Sequence, residues 1–274
     1  MIRVALAQMD PLLGQNPHNR ERALAHLEEA SRAGARLVLF PECAISGYGF
    51  ASLEEAWPYA EPVPGPTTEA FTAACRARGL YAVVGLLERA DGRLFNTAAL
   101  IGPEGLIGRY RKAHRPYLGV DRFTAPGDTG FPVFETAIGR IGMLICYDLR
   151  FPEAARVLAL RGADLVAVPT NWPEGSEIVP IAVAPTRALE NRFFVLTCNR
   201  VGTERGFTFF GRSGVYDPAG RTLVQAGGEE TLVTAEIDPR RARHKRMILR
   251  PGAFEMDPIG DRRPDLYGEL VRGS

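Results

Sequence analysis

Apolar positions recur along this chain with two periods, one suited to strands and one to helices. Residues 2–7 (IRVALA) read as a strand, and 17–33 set Ala23, Leu24, Leu27 and Ala30 at helical spacing before Gly34 ends the turn. RLVLF at 36–40 predicts a short buried strand. Residues 66–78 predict a helix, with Pro66 near its start and Gly79 just past its end. Strands follow at 80–87, 93–101 and 104–110, with DG at 91–92 and GPEG at 102–105 as turns. The second half opens the same way, with strand 138–145, helix 152–161 between Pro152 and Gly162, and buried strand 164–168. A helix through 181–192 leads into strand 193–198, and strands at 213–217, 221–225 and 231–237 are separated by DPAG and GG. Such β-α-β units with interspersed hairpins predict an α/β layered fold with one mixed sheet system. No low-complexity linker, repeat or heptad divides residues 1–274, so a single domain is expected.

Charge changes this picture little. The formal net charge is +1, which gives no global reason to expect nucleic acid or an anionic membrane as partner. No apolar run approaches the roughly 20 residues of a membrane span. The segment PRRARHKRMILR (239–250) is locally basic. It reads either as an anion-binding patch or as a solvated or subunit-contacting helix. Balanced charge elsewhere and the lack of interleaved aromatics favour the second. The four cysteines share no short spacing, and the four histidines form no HExxH, so no metal site is expected. The N-terminal MIRVALAQMD lacks the regions of a signal peptide, so free thiols in a reducing cytoplasm are expected.

Candidate chemistry collects at strand ends. The stretch GRIGMLICYDLRFPE (139–153) runs from an apolar strand into a cysteine and then into polar residues before a helix. Strand 36–40 is followed by Glu42, strand 104–110 by Lys112, and strand 138–145 by Cys146. Ligands in open α/β sheets bind beyond the carboxyl ends of strands, so neighbouring parallel strands would bring these groups to one rim. A thiol of pKa ~8.5 is mostly protonated at neutral pH and needs a base to become a nucleophile. A carboxylate can take that proton, and an ammonium can stabilise developing negative charge. A sharp strand-to-helix turn would expose the sulfur as a nucleophile elbow does. Taken singly, each residue also has a plain structural reading. Cys146 can pack as a small hydrophobe, Glu42 can be a satisfied loop carboxylate, and Lys112 belongs to the polar run RYRK.

Six ordered blocks then carry a resemblance: FPECAISGYG (40–49), GRYRKAHRPYLGVDRFTAPGD (108–128), GMLICYDLRFPEAARVLALRGADLVAVPTNWP (142–173), RALENRFFVLTCNRVG (187–202), GRSGVYDPAG (211–220) and DRRPDLYGEL (261–270). Together they resemble the nitrilase superfamily of carbon–nitrogen hydrolases over nearly the whole chain. The resemblance implies a four-layer α-β-β-α sandwich. It also implies a homodimer or a multiple of it, with 239–274 as a tail in subunit contacts. It places a catalytic triad on Glu42, Lys112 and Cys146, with no cofactor. In the implied mechanism Glu42 takes the thiol proton and Cys146 attacks an amide carbon. Lys112 and the Tyr147 backbone amide stabilise the intermediate, and water releases the thioester.

One departure stands out. Many relatives carry a second glutamate eight residues after the lysine, where this chain has Val120 followed by Asp121. Asp121 either enters the site with a one-residue shift or pairs with Arg122 or Arg115 to shape the loop. Nitrile-cleaving members typically follow the cysteine with Trp-Glu, and this chain has Tyr147-Asp148. The resemblance therefore points to hydrolysis of a small-molecule amide or carbamoyl compound rather than a nitrile. Asn171 and Trp172 either line the substrate pocket or form a turn, and Tyr48 and Tyr117 are read as pocket wall or core. Arg150 either binds a substrate carboxylate or braces its loop. Cys43 and Cys198 are read as packing residues. A catalytically impaired binding protein on the same scaffold is the reading of a different class.

Overall fold

A computed structural model describes residues 1–272. The chain opens with β1 (Ile2–Gln8), α1 (Asn16–Arg32), β2 (Leu37–Leu39), a single turn α2 (Leu53–Ala56) and α3 (Pro66–Arg78). Gly79 takes the left-handed conformation that ends α3, as its position predicts. A meander follows: β3 (Tyr81–Ala90), β4 (Arg93–Gly102) and β5 (Gly105–Arg111). Asp91 and Gly92 both have positive φ, the requirement of the two-residue turn read from DG.

The second half comprises β6 (Val133–Thr136), β7 (Gly139–Met143), α4 (Pro152–Leu160), β8 (Leu165–Thr170), α5 (Ala184–Asn191) and β9 (Phe194–Asn199). A π-helical turn, Val179–Val183, feeds α5. Strands β10 (Val201–Glu204) and β11 (Phe207–Phe210) form a separate hairpin. After them come β12 (Gly214–Tyr216), β13 (Thr222–Gln225), β14 (Thr231–Ile237), β15 (Met247–Arg250) and β16 (Phe254–Met256). The basic segment is not a helix. It is a short 3-10 turn at Pro239–Arg243 that runs into the β15–β16 hairpin.

The single mixed sheet expected from element order is instead two six-stranded sheets. Their orders are β14-β1-β2-β3-β4-β5 and β13-β12-β9-β8-β7-β6. Alternation along the strands explains how they stack. Val4, Leu6, Leu37, Leu39, Tyr81 and Val83 share one buried cluster with Ile141, Met143, Leu165 and Ala167 of the other sheet. Their neighbours Ala5, Ala7, Val38, Ala82 and Val84 pack with Ala23 and Leu27 of α1 and Phe71 and Cys75 of α3. Helices α4 and α5 add Ala155, Leu158, Ala184 and Ala188 to the outer side of the second sheet. The result is the four-layer α-β-β-α sandwich.

Strands β2, β5 and β7 are therefore not neighbours. Two strands separate β2 from β5, and β7 lies in the other sheet. Direction restores a shared rim for the ends of β2 and β5. Strand β5 is antiparallel to β4 and β4 to β3, so β5 runs the same way as β3 and its parallel partner β2.

Candidate active site

Each of the three strand-end groups reaches the rim by a different local device. Strand β2 ends at Leu39, and Phe40 continues the pairing by donating its N–H to Val83. Glu42 follows in a loop whose next residue, Cys43, has positive φ. Strand β3 passes so closely beneath that a Cβ on Gly85 would lie 2.4 Å from the Pro41 oxygen and 2.8 Å from Glu42 Cα. Lys112 follows β5 directly, and its N–H donates to the Asn96 carbonyl at 2.8 Å.

Cys146 has φ +47°, an uncommon conformation for a non-glycine residue, and begins a 3-10 turn that precedes α4. Buried Asp148 holds this elbow. Its carboxylate accepts the Ile145 N–H at 3.0 Å, the Tyr110 hydroxyl at 2.8 Å and the His114 N–H at 2.9 Å, and it contacts His114 Nδ1 at 2.7 Å. The elbow of one sheet is thereby tied to the Lys112 segment of the other. His114 stacks on Phe151 at 3.7 Å, and the Tyr147 ring meets Phe151 edge-on.

Glu42, Lys112 and Asp121 converge in the interior. Lys112 Nζ donates to Glu42 Oε1 at 2.7 Å and to Asp121 Oδ2, and the side chains of all three are fully buried or nearly so. Asp121 thus enters the cluster, through the 3-10 turn Gly119–Arg122. The alternative pairing with arginine does not form. Arg115 donates to the Thr124 carbonyl, and Arg122 donates to the carbonyls of Gly119 and Phe50. Tyr48 is buried, and its hydroxyl donates to Asp121 Oδ2 at 2.8 Å. Tyr117 is the opposite case, 91% exposed, so it lines no buried wall. Arg150 is exposed as well, and its carbonyl accepts a bond from Arg187.

Electrostatics follow from this arrangement. Burial pushes the Glu42 carboxyl above its usual range, and the Asp121 charge adds to the effect against the pull of Lys112. Burial by itself would pull Lys112 down, but the charges of Asp121 and Glu42 outweigh it and hold the ammonium well above its usual value. Burial pushes the Cys146 thiol well up, and the Glu42 charge adds to this; Lys112 and the Asn171 backbone N–H oppose it. The resting sulfur is a thiol, and its activation needs a proton acceptor close by.

Asn171 lies beyond the end of β8. Both polar atoms of its buried side chain lack partners. Trp172 is buried beside it. The side chain of Asn199 clamps this turn, accepting from Thr170 Oγ1 and the Trp172 N–H and donating to the carbonyls of Trp172 and Gly211. The turn reading of this segment and the pocket reading are therefore compatible. Cys43 and Cys198 are sealed in the interior, and all four cysteines are free.

Several residues that hold the site escaped the reading of the sequence: Asn96, Asn199, Gly85 and Glu204, and Asp148 was read there only as a mark of subclass. Glu204 accepts the N–H groups of Tyr48 and Gly49 at 2.9 and 2.6 Å, anchoring the loop after Glu42. An asparagine in the middle of a strand (FNTA) was the one available signal, since a polar side chain at a buried strand position requires partners.

Residues 3–247 match the family model described as carbon-nitrogen hydrolase. The chain belongs to the carbon–nitrogen hydrolase family. It is 40% identical over 271 residues to a protein named nitrilase from Pyrococcus abyssi, with 97% of this chain and 99% of that one covered. An omega-amidase of Xenopus laevis is 36% identical over 236 residues, covering 80% of this chain and 83% of that one. Among solved structures, an amidase from Nesterenkonia superposes with a TM-score of 0.81 at 28% identity, covering 98% of this chain and 96% of that one. A carbon–nitrogen hydrolase from Helicobacter pylori superposes with a TM-score of 0.89 at 26% identity, covering 99% and 98%. A variant of the Nesterenkonia amidase carries the acetamide moiety of fluoroacetamide covalently on its active-site cysteine. Among the described residues, no helix of this carbon–nitrogen hydrolase is long and apolar enough to cross a membrane.

Proposed function

We propose that this carbon–nitrogen hydrolase cleaves small linear amides through a thioester on Cys146, with Glu42 as base and Lys112 as electrophilic stabiliser. The asymmetry of Glu42 carries the reading. Oε1 accepts from Lys112 and Asn96, each at 2.7 Å, whereas buried Oε2 has no partner. A buried carboxylate oxygen without a donor is costly, and a thiol proton, then a water proton, relieves that cost.

The steps follow from the donors present. Cys146 Sγ attacks the amide carbon as its proton passes to Glu42 Oε2. Two of the three Lys112 ammonium hydrogens are committed to Glu42 and Asp121, which leaves the third for the substrate oxygen. The Tyr147 backbone N–H supplies a second donor there. A donor so placed is worth roughly 10²–10³ in rate. Glu42 returns its proton to the nitrogen, and ammonia or an amine leaves. Water then attacks the thioester and gives its proton to Glu42. Collapse of that intermediate breaks the C–S bond, restores the thiol and frees the acid.

Asn171 offers a donor and an acceptor to the substrate, and Trp172 an apolar wall. Similarity to the omega-amidase of Xenopus laevis supports an ω-amide as substrate, with N-carbamoyl compounds as the nearest alternative. The name of the Pyrococcus relative favours a second reading, nitrile hydrolysis. Ammonia release from a panel of amides, carbamoyl compounds and nitriles separates them, with Cys146→Ala as control. A nitrile turned over faster than every amide would overturn the amide reading. Retained turnover in Cys146→Ala would remove the covalent mechanism, and acyl capture without release would indicate the impaired binding protein.

The family resemblance extends the proposal to a homodimer or a multiple of it. Exposed Ile248, Leu249, Leu266 and Leu270 support a contact role for the segment after 239. A monomer in sedimentation velocity would contradict it.

A further inference from the structure

Asn96 lies in the middle of β4, opposite Leu87 of β3, and is 1% exposed. Its side-chain Nδ2 donates one hydrogen to Glu42 Oε1 at 2.7 Å and the other to Asp121 Oδ1 at 2.9 Å. Its Oδ1 accepts the thiol hydrogen of Cys43, with sulfur and oxygen 3.7 Å apart. The main-chain carbonyl of the same residue accepts the Lys112 N–H. One residue therefore contacts both carboxylates of the cluster and the backbone that presents the lysine.

The chemistry of an amide is suited to this place. Two buried carboxylates share one ammonium, so they repel each other across it. A neutral group with two hydrogens can satisfy both without adding a charge that would compete with Lys112. The Cys43 thiol, a weak donor, fixes which end of the amide faces the carboxylates. An amide turned the other way would point its oxygen at two anions. Asn96 also distinguishes the two oxygens of Glu42. Oε1 takes two donors and becomes the weaker base, and Oε2 is left as the stronger one.

We propose that Asn96 is a positioning residue: by bridging Glu42 and Asp121 it orients the Glu42 carboxylate so that Oε2 is the oxygen that exchanges protons with Cys146 and substrate. This rests on the reading of Glu42 as base. Removing the bridge withdraws a donor from the charged form of Glu42. The carboxylate then takes its proton at higher pH, and it is free to rotate.

The test compares Asn96→Ser, which keeps one donor, with Asn96→Ala, which keeps none. The rate of Cys146 alkylation by iodoacetamide is followed from acid to alkaline pH by peptide mass mapping. The kcat and KM for an amide substrate are measured in parallel. The expected result is an acid limb displaced upward by about one pH unit in Asn96→Ala, the size of one charge-assisted hydrogen bond, and by less in Asn96→Ser. The kcat falls by roughly ten- to a hundredfold while KM stays within about twofold. Folded variants that lose activity but keep the wild-type limb would assign Asn96 to packing alone and overturn the proposal. If Asn96→Ala does not fold, the limb of Asn96→Ser decides. Glu42→Gln separates the two layers of the argument. A limb that survives in Glu42→Gln would overturn Glu42 as base. A limb lost there but unmoved in the Asn96 variants would overturn the role of Asn96 alone.

Discussion

Gly85 offers a test of the site's geometry without any change of charge. It lies in β3 opposite Ala98, buried, with a backbone that alanine adopts without strain. A Cβ there would stand 2.4 Å from the Pro41 oxygen, 2.7 Å from the Cys43 nitrogen and 2.8 Å from Glu42 Cα. All three are backbone atoms, so no flexible side-chain end can yield. Ordinary contact is reached near 3.5 Å, so Gly85→Ala must displace the Glu42 segment by roughly 0.7–1.1 Å. Overpacking of this kind costs about 1–3 kcal/mol, a fall in Tm of several degrees for a chain of this size. The larger effect falls on chemistry, because the 2.7 Å bonds from Glu42 to Lys112 and Asn96 must stretch or tilt. A misplacement of about 1 Å lowers turnover on the order of a hundredfold. Thermal unfolding and kcat/KM for an amide, measured on the same preparation, give the two numbers. Wild-type kcat/KM in Gly85→Ala, at whatever stability, would refute the argument that β3 sets the position of Glu42.

The other predictions concern charge and access. Asp121→Asn removes the like charge beside Glu42, so the carboxyl ionises more readily. The acid limb of kcat/KM should then move to lower pH, opposite in sign to Asn96→Ala. A limb that moved upward would contradict the assignment of Asp121 as the charge that raises Glu42. Glu204→Gln leaves Arg200, which is 1% exposed and 3.0 Å from Glu204 Oε2, with Asp10 as its remaining carboxylate. A loss of about 3 kcal/mol and roughly 10 °C in Tm is expected, and an unchanged melting curve would contradict it. Among the four thiols, Cys146 alone has measurable exposure, so it should alkylate first. Peptide mapping with Cys43 or Cys75 labelled ahead of it would count against the assignment.

The sequence by itself determined the elements and the three strand-end groups. Apolar period, proline at helix starts and glycine at helix ends depend on residues within a few positions of one another. The strands from IRVALA to FFVLTC and the helices led by Pro66 and Pro152 were legible for that reason. Glu42, Lys112 and Cys146 were legible because each follows an apolar run. Tertiary structure alone decided which sheet each strand joins. A strand buried on both faces carries no mark of its neighbour, and the predicted single sheet became two. The same holds for the groups that complete the site. Asp121 reaches Lys112 because a 3-10 turn tucks it inward, against the alternative of an arginine partner one residue away. Asn96 meets Glu42 across 54 positions of chain, and Glu204 meets Tyr48 across 156. Such bonds depend on the closing of loops and the stacking of two sheets. Local pattern states that a buried polar group must have a partner, and only the assembled fold names it.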